Sequence, residues 1–575
     1  MHCSAVTHNI LWQKFSNIIK KSKISADVQL CRNLNTVLAN AAAEGRIPGS
    51  VYDVLYLENE AGYIIENLNP TAEDMYFAWD QEKNQMIYIM SDLSSVYYPD
   101  DYNLIPANCW ITVGSAKEAQ KVVDKGYNIA LEKDIDEPIV LNNVVSINTL
   151  GFKCGDVTMN SGDKDVATAY LIGNFKDAKI SAGATNIVTS GVATSLQVTG
   201  TSATSVTVGG YVNSYSATGS GIKSEVASTG MVNNVTAAAS IVNNGVVINQ
   251  GSSSLEGNGN TGSATGNVVK ASSKEDLDSI RTQVASGART FDGETVKLSK
   301  DINLNGIAST PIANVSRDGI TAESTSVFKG TFDGQGYAIQ NFSTQGFTIA
   351  GLNAGTNSST PYFDQTKIKY NEAVYGLIGV TYNATIKNLN ITCSINMELD
   401  HQNHYVGDSV GGIVGCAYGT ITFENCSVSG TIKGYDGVGG FLGRLKGTEA
   451  TFINCTNNAE VIGVRKTGGF IGSSYDTAGA KVTYDNCTNN GNITCLGIER
   501  DVELECWNSG GTDMLTLNLS SNGSGYYTAS ASNGEFLSAD GKWATIVGTF
   551  TNNGKIMIGS QDVGNGTIHS KVKKS

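Results

Sequence analysis

Proline, histidine and long apolar runs are scarce in this sequence, and each shortage narrows what the chain can be. Only 7 of 575 residues are proline, which excludes a proline-rich spacer. The histidines are His2, His8, His401, His404 and His569. None sits in a His-Glu-x-x-His pair, so a zinc-protease site has no ligands. The 11 cysteines contain no Cys-x-x-Cys, which leaves zinc-ribbon and thioredoxin-like chemistry without support. They are also too sparse for a small disulfide scaffold. Charged residues are 16 % of the chain, with a formal net charge of -14, against a usual charged share of ~25 %. The basic runs are confined to Lys20-Lys21-Ser22-Lys23 and Lys571-Val572-Lys573-Lys574, so no nucleic-acid partner is expected. No apolar run reaches the ~18 residues of a membrane span. No Gly-x-Ser-x-Gly elbow with ordered partners and no calcium-binding nonapeptide stands out.

What the sequence has is glycine, 65 residues, and a repeat. Gly411-Gly412-Ile413-Val414-Gly415 leads to Phe423-Glu424-Asn425-Cys426. Gly439-Gly440-Phe441-Leu442-Gly443 leads to Phe452-Ile453-Asn454-Cys455, and Gly468-Gly469-Phe470-Ile471-Gly472 leads to Tyr484-Asp485-Asn486-Cys487. The second glycines stand 28 and then 29 residues apart. A fixed period of this size means stacked units, each touching only its neighbours.

The chain divides accordingly. Residues 1–25 read as an amphipathic leader with Ile10-Leu11-Trp12, Phe15 and Ile18-Ile19; its basic residues follow the apolar ones, unlike a signal peptide. No export signal is visible, and the C-terminus shows neither a Leu-Pro-x-Thr-Gly anchor nor an apolar tail. Residues 26–108 read as an α+β head. Val28, Leu30, Leu34, Val37 and Leu38 predict a helix stopped by Gly45, and a second helix fits Ser50 to Glu60. Tyr63-Ile64-Ile65 reads as a strand, and Met75–Trp79 with Met86–Met90 as a hairpin around Gln81 to Asn84. Residues 109–270 read as a first β-solenoid with a short helical lead-in at Ser115-Ala116-Lys117-Glu118. Its small and β-branched runs, such as Ser195–Thr199 and Val206–Val208, alternate in period two; a flexible linker is the other reading of 136–270. Residues 271–327 repeat the helix-then-strand plan from Ser272-Ser273-Lys274-Glu275. Residues 328–565 are a second solenoid, and 566–575 a basic tail.

Gly376-Leu377-Ile378-Gly379, the Gly-Gly-Phe-Leu-Gly units and the lead-in Phe332-Asp333-Gly334-Gln335-Gly336-Tyr337 resemble the GLUG-motif repeats of bacterial surface proteins, over about 330 to 495. The resemblance implies a right-handed parallel β-helix and an extracellular or cell-surface location. It does not imply one function, since such repeats occur in adhesins, large proteases and other surface proteins. Leu30–Thr36, Tyr52–Leu55, Glu60–Tyr63 and Trp79–Asn84 resemble the region that follows the membrane helix in type IV prepilin-like proteins of Gram-positive bacteria. The apolar helix of that family is not seen ahead of this stretch.

The fold expected is therefore mainly β: a right-handed parallel β-helix in two tandem segments behind a small α+β head. In such a stack Phe423, Phe452 and Tyr484 form one inward column. Cys426, Cys455 and Cys487 form another only if a turn or bulge resets the alternation, because an offset of three otherwise reverses the side. Asn425, Asn454 and Asn486 sit where amides can bond along the stack. They also match glycosylation sequons, which burial on the ladder explains better. Leu389, Phe342 and Phe550 are expected at the cysteine position elsewhere, which favours packing over metal or redox chemistry; disulfides between layers stay open, as does a Cys495–Cys506 bridge.

One loop invites a ligand. Asn388 and Asn425 are 37 residues apart, against 29 for the next repeat, and the excess holds Asp400, His401, Gln402, Asn403, His404 and Asp408. A polar surface loop is the plainer reading. Asp301, Asp333, Asp364, Asp400 and Asp408 are acids of the kind polysaccharide lyases and hydrolases gather on a β-helix, but no spacing marks an acid–base pair. No catalytic, metal or cofactor residue is assigned, and no cofactor is expected. The expectation is a non-enzymatic surface protein for structure or adhesion, with a host or cell-surface glycan or protein as partner and association with a filament or cell wall. The alternatives are a pilin-like or phage-fibre shaft and a carbohydrate-active enzyme.

Overall fold

The computed structural model describes residues 3–48, 75–90, 109–141, 145–160, 168–181, 186–199, 204–345, 374–396, 408–473 and 480–495, apart from single positions. Scattered residues between these, and strands between 498 and 572, are described as well. The chain separates into two compact units. The first is Met1–Thr189 with Ala193–Thr207 and Ser216–Ser224; the second is Ser190–Val192 with Val208–Tyr215 and Glu225–Ser575.

The first unit opens with α1 (Cys3–Ala43), one helix through the sequence expected to hold a leader and a separate helix. Gly45, at φ +77°, ends it as expected, and the amide of Arg46 returns to the Ala41 carbonyl at 2.7 Å. A β hairpin follows, Tyr76–Asp80 antiparallel to Gln85–Ile89. Helical spacing puts Asp27, Cys31 and Asn35 on one face. Asn35 pairs with Met86 as a strand would, accepting its amide at 2.7 Å and donating to its carbonyl at 2.9 Å. Asp27 accepts from the Thr71 and Ala72 amides and the Tyr88 hydroxyl at 2.8–2.9 Å. Val28 and Leu30 are only half-buried, while Asp27 and Cys31 are buried. The Ser50–Glu60 helix and the Tyr63–Ile65 strand lie almost wholly outside the described residues.

Two β-α-β crossovers share one design. In the first unit Trp110–Val113 and Asn128–Leu131 run parallel, joined by α2 (Ala116–Asp124). In the second unit Val268–Ala271 and Thr295–Leu298 run parallel, joined by α3 (Lys274–Ala285). The hydroxyl of Ser115 accepts from Glu118 N, and that of Ser273 from Asp276 N, each at 3.2 Å. The acid three residues on then reaches back to the amide before the cap, Gly114 or Ser272. The cap of α3 is thus Ser273, within the Ser272-Ser273-Lys274-Glu275 stretch expected to open it. After each crossover comes Lys-Asp-Ile, and Asp134 and Asp301 each accept an amide of a later strand, from Lys153 and Ala338.

Beyond the crossovers the strands pair in parallel. In the first unit Thr168–Ile180 pairs with Asn186–Thr189; in the second, Met231–Ala237 pairs with Val246–Asn249. Residues 136–270 therefore carry regular strands rather than a linker. In the second unit side-chain hydrogen bonds from layer to layer, such as Asn249 to Asn234 and Thr236 to Tyr215, join residues 15 to 21 apart. In the GLUG-like part the same kind of bond joins residues 29 to 37 apart, so the layers there are larger.

One inward column runs through the whole of that larger stack. Val269, Val296, Phe332, Ile386, Phe423, Phe452 and Tyr484 are successive register partners, and all are buried. The Phe423 and Phe452 rings stack at 5.0 Å and 3°, and Phe452 and Tyr484 at 5.2 Å and 13°. Phe441 and Phe470, from the Gly-Gly units, stack beside them at 5.0 Å and 3° and meet them edge-on. A layer spacing of ~4.8 Å places equal side chains at van der Waals contact. The facing outward column is Thr295, Thr331, Thr385, Thr422, Thr451 and Thr483, all partly exposed.

The last layer pairs Lys481–Asn489 with Gly541–Asn552, after a step of 63 residues. The intervening sequence includes an antiparallel sheet, Ile498–Arg500, Glu503–Trp507 and Met514–Asn518. Antiparallel strands Glu535–Ser538 and Gln561–Asn565 pair on this last layer. They cover edges that would otherwise offer unpaired backbone groups.

Candidate functional site

The Asn-Cys corner is built by one backbone angle. Asn388, Asn425, Asn454 and Asn486 have φ of +50° to +52°. That left-handed residue resets the strand alternation, so Phe423 and Cys426 both point inward despite an offset of three. Asparagine tolerates the angle better than most residues because its short amide bonds locally. The amides then bond along the stack: Asn425 donates to Asn388 and Asn454 to Asn425, each at 3.1 Å. Their side chains are exposed except Asn388, which is half-buried. Hydrogen bonding explains these asparagines, as expected, but burial does not.

A second asparagine column is buried. Asn457 donates to Asn489, and Asn489 to Asn552, each at 2.7 Å. Each amide also donates to the carbonyl two residues on, Ala459, Gly491 or Gly554. The sequence signal was the echo of Thr-Asn-Asn after Cys455, Cys487 and Phe550, whose inward asparagine the sequence alone did not single out. This column also explains the second glycine of the Gly-Gly units. A Cβ on Gly440 would lie 2.6 Å from Asn457 Oδ1, and one on Gly469 2.5 Å from Asn489 Oδ1. In the first copy Gly412 faces Val428 instead, at 2.7 Å. The two halves of the repeat meet across the core.

The three thiols are register neighbours and buried. Each donates to the carbonyl two residues earlier: Cys426 to Glu424 and Cys455 to Ile453 at 3.2 Å, and Cys487 to Asp485 at 3.5 Å. Phe550 pairs with Cys487, as expected. Leu389 lies between register partners of Glu424 and Ser427, hence opposite Cys426. Phe342 does not belong to this column. Its register partner is Cys393, and Asn341 bonds Asn303 at 3.0 Å, on another corner. The layer before Asn388 is instead the Phe-Asp-Gly-Gln-Gly turn. Eight described cysteines, Cys31, Cys109, Cys154, Cys393, Cys416, Cys426, Cys455 and Cys487, are free thiols. The side chains of Cys495 and Cys506 lie outside the described residues.

The candidate acids separate. Asp333 is buried and heads the exposed asparagine ladder, accepting from Asn388 Nδ2 at 3.0 Å, Gln335 N at 3.0 Å and Gln335 Nε2 at 2.6 Å. Burial raises its pKa, but these bonds and Lys387 outweigh it, so the carboxyl is held below its ordinary range. Its lone pairs are spent on the turn. Asp301 is spent on the Ala338 amide, at 2.8 Å. Asp408 begins a strand whose backbone pairs with Asp436. Asp364, Asp400, His401, His404 and the side chain of Asp408 lie outside the described residues. Among the described residues no group of three His, Cys, Asp or Glu could hold a metal ion.

A feature missed in the sequence lies on the outer side of the glycine-rich strands. Residues 312–328 run across them, bridging Ile312 to Ile378 and Phe328 to Thr381. Val315 and Ile320 pack with Val327, Val374, Val380, Cys416, Tyr382 and Tyr418. Tyr418 donates to the Arg317 carbonyl, and Lys446 pairs with Asp318. Arg317 and Arg444, both buried, donate to the Ser409 hydroxyl at 3.1 and 3.3 Å. Aliphatic runs without a period of their own gave no sequence signal for this strap.

The family described as the GLUG motif matches residues 407–433, the first Gly-Gly to Asn-Cys copy. No curated protein and no solved structure matches the chain. The chain is a GLUG-containing, mainly β protein with long parallel sheets. No helix among the described residues is long and apolar enough to cross a membrane.

Proposed function

We propose that this chain is an extracellular or cell-surface protein of structural or adhesive role, winding as a right-handed parallel β-helix. One observation carries the reading. The polar side chains that repeat from layer to layer, Asn388, Asn425 and Asn454, and Asn457, Asn489 and Asn552, bond to one another and to the backbone. The two described candidate acids, Asp301 and Asp333, are committed to turns in the same way. Chemistry spent on stacking suits a scaffold rather than a catalyst. The partner would be a host or cell-surface glycan or protein, met on the partly exposed threonine face or on loops between layers. Antibody detection on intact cells, with protease shaving, tests the location; a signal only after lysis overturns it. Release of reducing sugar from a polysaccharide panel would overturn the non-enzymatic reading.

A second reading rests on the head. Its helix packs on an antiparallel hairpin through Asp27, Cys31 and Asn35, an arrangement that favours a pilin-like assembly module with the stack as shaft. Electron microscopy of filaments labelled for this chain tests it, and label confined to dispersed single molecules overturns it.

A further inference from the structure

The cysteine column is more than filling. Leu389 holds the same position one layer earlier and Phe550 one layer later, so packing alone does not require sulfur. Three consecutive layers nevertheless place thiols in direct register. Adjacent strands bring such positions to ~4.8 Å between backbones, inside the range of ~4.4–6.8 Å that a disulfide spans between Cα atoms. Each sulfur also lies against the layer before it, Cys455 Sγ at 3.5 Å from the Phe423 carbonyl and Cys487 Sγ at 3.4 Å from the Phe452 carbonyl. No other described thiol has another in the same register position in a paired strand, since Cys393 faces Phe342 and Gly430, and Cys416 faces Val380 and Arg444.

We propose that Cys426, Cys455 and Cys487 are a peroxide-responsive modification site, at which Cys426 and Cys455 join in a disulfide that staples two layers. Cys455 Sγ lies on the side of the Cys426 layer, against the Phe423 carbonyl, so Cys426 is the thiol it can reach. The thiolate is the nucleophile. Cys426 Sγ attacks one oxygen of hydrogen peroxide, the O–O bond breaks, and hydroxide leaves, giving a sulfenic acid. Cys455 Sγ then attacks Cys426 Sγ; the S–S bond forms, and the sulfenic oxygen leaves as water with the Cys455 proton. The two thiols lose two electrons and two protons in total, and one peroxide becomes two waters. Peroxide is nearly as small as water, which suits thiols buried this deeply. Cys487 remains a thiol beside the new bond.

The test is peptide mass spectrometry of the full chain after hydrogen peroxide, with free thiols alkylated under denaturing conditions. The expected result is a Cys426–Cys455 cross-linked peptide, an intact mass lower by two hydrogens, and a Tm that rises and returns with dithiothreitol. Cys487→Ala should keep the cross-link. Cys455→Ala should abolish it and leave a dimedone-reactive sulfenic acid at Cys426. The wild-type cross-link is decisive by itself should Cys455→Ala fail to fold. Alkylation of all three thiols after peroxide overturns the proposal, as does oxidation to sulfinic acid at Cys426 without a cross-link.

Discussion

At Asn454 the backbone holds φ at +51°, and one residue decides whether Cys455 faces the core. A left-handed angle costs most side chains roughly 1–2 kcal/mol. Asn454→Ala should therefore lower Tm more than Asn454→Gly, although both lose the ladder amide; equal losses would mean the angle carries no strain. Gly440 is constrained from two sides, with a Cβ only 2.1 Å from the Gly469 carbonyl and 2.6 Å from Asn457. Gly440→Ala should cost about 1–3 kcal/mol, measured by urea denaturation. Glu132 gives a pH dependence. Burial and the charge of Glu118 push its carboxyl from 4.5 up to about 7. Its folded pKa lies above its unfolded one, so the protonated form favours the fold. That stability is present below the unfolded value and is lost as pH rises through about 7. Tm should fall between about pH 5 and 7.5, and Glu132→Gln should flatten that slope.

At the scale of elements, α3 is held by a buried polar network. Arg289 and Glu294 form an ion pair with side-chain exposures of 3 % and 2 %. Arg289 also donates to the Thr229 carbonyl at 3.0 Å, Gln283 donates to the same carbonyl at 3.0 Å, and Ser279 donates to the Gly209 carbonyl at 2.7 Å. These bonds fasten the helix to two turns of the preceding strands. Removing one partner of a buried pair leaves an uncompensated charge, at a cost of roughly 3–5 kcal/mol. Arg289→Met should show that loss in a denaturation curve, and Arg289→Met with Glu294→Gln should recover part of it. An additive double variant would mean the pair is not coupled.

For the whole molecule, stability is expected to be close to a sum of layers and their interfaces. Deleting residues 456–487 joins Cys455 to Thr488, which is the register partner of the Thr456 it replaces, one layer on. The variant should keep its strand content by circular dichroism and lose part of its Tm. A deletion ending ten residues earlier breaks every column and should not fold. If both deletions unfold, the layers are not interchangeable units.

The repeat, its inward Phe-Phe-Tyr column, the Phe550 substitution and the two helix-strand lead-ins were legible in the sequence, because residues spaced by a constant period must meet in a stack. Gly45, the hairpin at Tyr76–Ile89 and the hydrogen-bonded Asn425–Asn454 ladder were legible for similarly local reasons. Three things were decided only in tertiary structure. The φ of the corner asparagines set which side Cys426, Cys455 and Cys487 face, since an offset of three is ambiguous without the angle. Register placed Phe342 on Cys393 rather than on the cysteine column, because the layer lengths before Asn388 are irregular. The Arg289–Glu294 pair and the strap over Tyr418 join residues whose separation follows no period, and the inward turn of Asn457, Asn489 and Asn552, though they recur with the repeat, rests on the corner before them. A sequence determines what recurs; only the folded chain determines which polar group meets which partner across a core.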